Sequence, residues 1–286
     1  MALTAVWSVV DAHDAGRVHT CHFRKVPSQA STAGWWVDLS MAAGNPVANY
    51  YAAEPLVARA LDGADGIFHG ADKAPAAKHL TALGLMTPTA GLVGQYTLCD
   101  YLLYYPFVDG DAVGDVQTLD NAVSLPRYTD GEGVQVMAVA VTPTAGAGTF
   151  TFTYINQDGV ERTSPNQLVN TTASSISNIA TSQQAVANRT SGGPFLSLAA
   201  GDTGVRSITS VTFSVAAGGL LALVLVMPLA DLAIREVSTM AEVRFLVDRP
   251  GSPQIMDGAY LGLLCNCAAT VAAGILTGYA TFIWSD

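Results

Sequence analysis

Four residues near the start of the chain, His13, His19, Cys21 and His22, are of the types that bind zinc, because imidazole nitrogens and thiolates are its preferred ligands. Their spacing works against one shared ion. On a strand His19 and Cys21 face one side and His22 the other, so only part of the set converges; the residues read as a partly buried strand with a polar outer face. A second concentration is acidic: Asp100, Asp109, Asp111, Asp115 and Asp120. Asp109-Gly110-Asp111 resembles the start of a calcium loop, but the EF-hand spacing with its distal Glu is not met, and a solvated loop is expected. Together with Asp130 and Glu132 the same pool could supply the paired carboxylates of a glycoside hydrolase, whose separation no short motif encodes. The sequence has no G-x-S-x-G elbow, no phosphate-binding G-x-x-x-x-G-K-[ST] and no H-E-x-x-H. The expectation is a protein with no enzymatic activity, no cofactor and no metal.

Other residues are suited to contact rather than catalysis. Arg127 and Arg206 stand beside turn residues in segments with few other cations, where each would pair with a buried carboxylate of its own chain or bridge two subunits. The pairing within the chain is the expectation. Adjacent residues on a strand face opposite sides, so one of Trp35-Trp36 should point outward, and the same reasoning extends to Tyr50-Tyr51. An exposed aromatic near a polar rim marks a partner surface; core burial against the helix at Glu54–Leu61 is the alternative. Trp35, Trp36, Tyr50, Tyr51, Arg127 and Arg206 are therefore the candidate interface residues.

These side chains must be positioned mainly by strands. Thr149–Ile155 alternates threonine with Phe150, Phe152 and Tyr154 and is closed by Asn156-Gln157-Asp158-Gly159, a strand followed by a hairpin turn. Its partners are expected to be Val134–Val141 upstream and Val160–Thr163 downstream, as a meander. Further strands are read at Arg17–Arg24, Gly34–Leu39, Gln95–Tyr105 (ending at Pro106), Val211–Val215, Leu220–Met227 (interior), Glu242–Val247, Ala259–Leu264 and Tyr279–Trp284. Asn49–Leu61, with Pro55 early and Gly63 near its end, is the best helical candidate. Pro75–Leu83 reads as a second helical turn or an arm, and Leu168–Ser191 as an exposed excursion with one short helix. The fold class that results is mainly β: an antiparallel β-sandwich, with the jelly roll as its candidate form, an N-terminal arm and one or two short helices. Residues 1–90 would be the arm and a mixed region packed on a β-sandwich body of residues 91–286.

Composition bounds the partners. The 286 residues include 13 Lys+Arg and 23 Asp+Glu, so 13% are charged, against about 25% in an ordinary soluble domain. Such a chain suits a building block that hides surface against neighbouring subunits. The net charge of −10 opposes binding to nucleic acid phosphates. Met1–Val10 has no basic region and does not read as a secretory signal. The uncharged stretches Val215–Ala230 and Gly258–Ser285 read as buried strands with glycine-rich turns rather than membrane spans. The four cysteines, Cys21, Cys99, Cys265 and Cys267, read as reduced and mostly buried.

The segments Gly34–Leu39, Asn49–Ala52, Gly66–Gly70, Cys99–Phe107, Leu125–Gly133 and Gly201–Ser207 resemble those of poorly characterised virion proteins of tailed bacteriophages. The resemblance implies a decoration or cement protein, made in the host cytoplasm and bound to the capsid surface, with the major capsid protein as partner and self-association as a homotrimer. It carries no catalytic residues. A tail, neck or receptor-binding component is the alternative within the virion; a carbohydrate-binding sandwich or a glycoside hydrolase is the alternative from another class. Neither nucleic acid nor membrane is an expected partner.

Overall fold

Buried and open positions alternate along much of the chain, and antiparallel strands result. A computed structural model describes residues 6–183, 193–249 and 251–285. In chain order these form one helix, α1 (Val6–Asp14), and the strands β1 (Val18–Val26), β2 (Trp36–Asp38), β3 (Ala43–Asn45), β4 (Arg59–Ala60), β5 (Lys78–Met86), β6 (Gly94–Asp109), β7 (Val116–Thr118), β8 (Gln135–Ala140), β9 (Thr149–Asn156), β10 (Glu161–Thr163), β11 (Gln167–Leu168), β12 (Val205–Val215), β13 (Leu220–Ile234), β14 (Ala241–Arg244), β15 (Gln254–Ile255), β16 (Tyr260–Cys267) and β17 (Leu276–Trp284). Sheet I runs β14-β5-β17-β1-β3, with β15 also on β5. Sheet II runs β2-β16-β6-β13-β8, with β4 also on β6. Sheet III runs β10-β9-β12-β7, with β11 also on β9.

Sheet II organises the packing because β6 and β13 pair along almost their whole length. Each carries an extra residue: Leu102 falls between the pairs Leu103↔Leu225 and Tyr101↔Val226, and Leu229 between Pro228↔Cys99 and Ala230↔Leu98. One inserted residue reverses the side-chain alternation that follows it. The Leu102 bulge therefore keeps Tyr96 and Leu98 on the same face as Leu103 and Tyr105, and the Leu229 bulge keeps Ala230 and Ile234 on the same face as Leu223 and Leu225. At one end of that face Leu98, Leu261 and Leu263 pack with Leu83, Leu85 and Phe282 of sheet I. At the other, Leu103, Leu223 and Leu225 pack with Phe150, Phe152 and Phe213 of sheet III. Two sheets thus lie end to end on one face of a third. The opposite face, with Cys99, Tyr101, Val224 and Val226, is covered by Trp36, Met41, Tyr51, Leu61 and Ile179.

The protein is mainly β with antiparallel sheets and a β-sandwich arrangement. Its three sheets differ from the two four-stranded sheets of a jelly roll. The strand at Thr149–Ile155 is β9, with its aromatic residues buried and its threonines on the more open face. Its turn is held by Asn156, whose Oδ1 accepts from Asp158 N (3.0 Å) and Val160 N (2.9 Å). The downstream partner β10 is as expected. The upstream one is not: β8 pairs with β13 in sheet II, and β9 pairs with β12. Val136 and Ala138 of β8 share a core with Phe150 and Phe152 of β9, so the strands face each other across the sandwich instead of lying side by side.

Other expectations are corrected. Asn49–Leu61 is not a helix. Its amides bond to distant carbonyls, Leu56 N to Pro106 O (2.9 Å), Ala58 N to Asp120 O (2.8 Å) and Leu61 N to Leu102 O (2.9 Å), and Tyr51 and Leu56 have φ of 51° and 63°. Pro75–Leu83 leads into β5, an interior strand between β14 and β17. β6 continues through Pro106 to Asp109. In Leu168–Ser191, residues 184–191 lie outside the described residues, while Val169, Asn170, Ser174, Asn178 and Thr181 are buried rather than exposed. Residues 1–90 contribute β1 and β5, which flank β17 on either side. The short helix of this region is α1, lying against β17 where no helix was read. No helix among the described residues is long and apolar enough to cross a membrane; the two uncharged stretches include β13, β16 and β17. Two of their glycines, Gly262 and Gly278, seat rings: a Cβ at Gly278 would fall 2.4 Å from the Phe23 ring.

Candidate interaction site

The six candidate residues divide by burial. Trp35 and Trp36 are both buried, as are Tyr51 and Arg127, whereas Tyr50 is 56% exposed and Arg206 is half-buried. The expectation that one tryptophan points outward is corrected: both rings are buried, Trp36 within the cluster on the outer face of sheet II. Tyr51 and Arg127 are likewise internal, and of the six only Tyr50 presents a large exposed side chain.

Tyr51 belongs to a polar cluster on that outer face. The carboxylate of Asp38 is fully buried and accepts from Tyr51 OH (2.5 Å), Tyr101 OH (2.8 Å), Ser40 Oγ (2.8 Å) and Ser40 N (2.8 Å). Burial pushes the Asp38 carboxyl above its ordinary value, and these donors oppose the shift. Nearby, the ammonium of Lys25 donates to Ala42 O (3.0 Å) and Pro46 O (2.9 Å). Burial lowers its pKa to about 8, against the opposing pull of Asp38. Both groups have solved their burial with local partners, and their effect is to pin residues 38–51 onto the sheet.

Arg127 makes the intrachain pairing expected of it. Its Nε donates to Asp100 Oδ2 (2.8 Å) and its Nη2 to Asp100 Oδ1 (2.7 Å), with further bonds to Leu61 O and Tyr101 O. Asp100 Oδ1 also accepts from Tyr260 N (3.0 Å). Asp100 lies between Leu98 and Leu102 on the face where sheets I and III meet, so the pair sits at the seam of the two cores. Burial raises the Asp100 pKa to about 6, with Arg127 holding it down from a higher value. Among the described residues Arg206 has no carboxylate partner; its Nε donates to Asp130 O (3.0 Å) and Gln157 O (3.1 Å), tying two turns together.

A third buried cation was not legible from motif. Lys78 Nζ lies 2.7 Å from His69 Nδ1, and His69 Nε2 lies 3.0 Å from Ala259 O. A carbonyl only accepts, so Nε2 carries the imidazole proton and Nδ1 accepts from the ammonium. Burial first, and Lys78 second, lower the His69 pKa to about 4.

The early His and Cys residues do not converge. His19 meets Phe68 edge-on at 5.2 Å between centroids, and His22 lies beside Tyr279. Burial pushes the Cys21 thiol up to about 11, and the four cysteines are free. Among the described residues no group of three His, Cys, Asp or Glu is placed to hold a metal ion. Asp109 accepts from Asp111 N within an exposed turn, and Asp115 and Asp120 are exposed.

The indole of Trp36 has one further neighbour, a cavity of about 360 Å³ lined by Gln95, Thr97, Pro194, Asp231 and Arg249. It adjoins a groove of about 580 Å³ between the end of β13 and β14; both are lined by Leu232, Ala233 and Arg249. Across β6 and β13, Gln95 and Ala233 pair in register and both line the cavity beside Trp36. The adjacency of Trp36 to this pair depends on strand pairing and could not be read from spacing. No family model matches the chain, and no curated protein or solved structure matches it either.

Proposed function

We propose that the chain is a non-enzymatic virion structural protein that binds the capsid exterior in multiple copies as a decoration or cement protein, with the major capsid protein as partner and a homotrimer as its own assembly. The observation that carries this reading is the distribution of polar and apolar groups. Asp38, Asp100, Lys25, Lys78 and Arg127 are spent inside, anchoring loops to sheets, while large apolar side chains stand at the surface: Val47, Tyr50, Phe68, Val116 and Val247 are each more than half exposed. Apolar surface on a chain of low charge density favours contact with other subunits. The resemblance of its segments to tailed-phage virion proteins directs those contacts to a capsid. Electron microscopy of intact particles tests the proposal. Hundreds of copies distributed over the shell support the cement role; a dozen or fewer at one vertex assign a neck or tail position; absence from particles rejects the virion reading.

A further inference from the structure

The last third of β13 lacks a neighbour on one side. β8 covers β13 only from Leu221 to Val226, whereas β6 pairs with its other edge as far as Ile234. β8 goes no further because the chain before it turns away at Gly131 and Gly133, with φ of 73° and 75°, and Val134 donates to Gly131 O instead. Among the described residues no strand or backbone group bonds to the far side of Pro228–Ile234. At about 3.3 Å per residue this free edge is roughly 20 Å long. Pro228 fits such an edge, since proline has no N–H to give and is confined to unpaired strand positions.

The end of the free edge, at Leu232 and Ala233, lies along one wall of the 580 Å³ groove, and β14, the terminal strand of sheet I, lies along the other. Unpaired main-chain donors and acceptors along a groove wall are a template for another backbone. We propose that Pro228–Ile234 is a docking edge that takes up an extended segment of a different protein, which continues the line of β8 and adds a strand to sheet II. Charge selects the occupant. Asp231, Glu236 and Asp248 line the groove and its adjoining cavity, against Arg235 and Arg249, while Glu242 is paired with Arg244. With a chain of net charge −10, a second copy is disfavoured and a segment bearing Lys or Arg opposite Asp231 is favoured.

Selection of a displayed library of random linear octapeptides against the intact chain tests this proposal. The expected binders carry a basic residue and slow hydrogen exchange of the Leu229–Ile234 amides. They lose at least tenfold in affinity to Ala233→Arg, which fills the groove from an exposed position and keeps every backbone donor. Exchange on the unmutated chain gives the same answer without reliance on the variant. No enriched binder, binders indifferent to Ala233→Arg, or binders that leave these amides unprotected would overturn the proposal. Protection of the edge by self-association alone, seen as a concentration-dependent change without peptide, would overturn the assignment to a different protein.

Discussion

Asp100 and Arg127 bring opposite charges to the seam between two apolar cores, a place where either alone would be costly. Removing one partner from a buried pair leaves an uncompensated charge and costs about 3–5 kcal/mol. Arg127→Met should therefore lose that much stability in urea unfolding. Adding Asp100→Asn should recover part of the loss, because the amide carries no charge yet still accepts from Tyr260 N. A double variant less stable than Arg127→Met would show that the charge is not the dominant cost. His69 adds a pH dependence of definite sign. The unfolded imidazole titrates near its ordinary 6.5 and the folded one near 4, so the unfolded chain binds more protons between these values. The contribution of His69 is complete above about pH 6.5 and is lost as pH falls toward 4. Asp100 acts in the other direction: with a folded pKa of about 6, its protonated form favours folding at acid pH, and that contribution is lost as pH rises through 6. Comparing His69→Gln with the unmutated chain cancels the Asp100 effect. Melting temperatures from pH 7 down to pH 4.5 should fall more steeply for the unmutated chain, and parallel slopes would remove His69 from the account.

At the scale of elements, β9 shows what alternation is worth. Phe152 is buried between sheets II and III, and truncating it to Ala should cost about 3–5 kcal/mol. Thr151, on the outer face, should cost less than about 1 kcal/mol when changed to Ala. Equal shifts of the urea midpoint for the two would contradict the observed facing. β9 was legible because one face is buried and the other open, giving a period of two. β5 was not, because both its faces are covered and its Ala, Leu and Lys residues are good helix formers. Asn49–Leu61 misled for a related reason: local propensity and a well-placed Pro55 suggest a helix, but the segment's amides are satisfied by distant carbonyls. The Arg127 pairing was foreseeable from a lone cation near turns. Its partner Asp100 was hidden in an acidic run whose other members are solvated. The burial of Trp36 depended on a covering layer that spacing does not encode.

At the scale of the whole molecule, the three sheets are interlocked by chain segments far apart in sequence, and this bears on both assembly and stability. If apolar contacts hold copies to their partners, raising salt from 0.1 M to 1 M should leave retention on particles nearly unchanged, since screening weakens only charge-driven contacts; release in high salt would mean that the exposed valines and aromatics are not the adhesive surface. The same interlocking predicts that a body starting at residue 91 does not fold alone. β17 lies between β1 and β5, so residues 91–286 alone would expose both edges of that strand. They would also uncover the outer face of sheet II, where Trp36, Tyr51 and Leu61 pack on Tyr101 and Val224. Exposed edges and apolar faces promote aggregation rather than independent folding. Residues 91–286 expressed alone should be recovered as aggregate, or as a species without a cooperative urea transition, while the full chain unfolds cooperatively. A soluble, cooperatively folding fragment would show that the N-terminal strands are an addition to the sandwich; the pairing of β17 on both sides predicts that they are part of it.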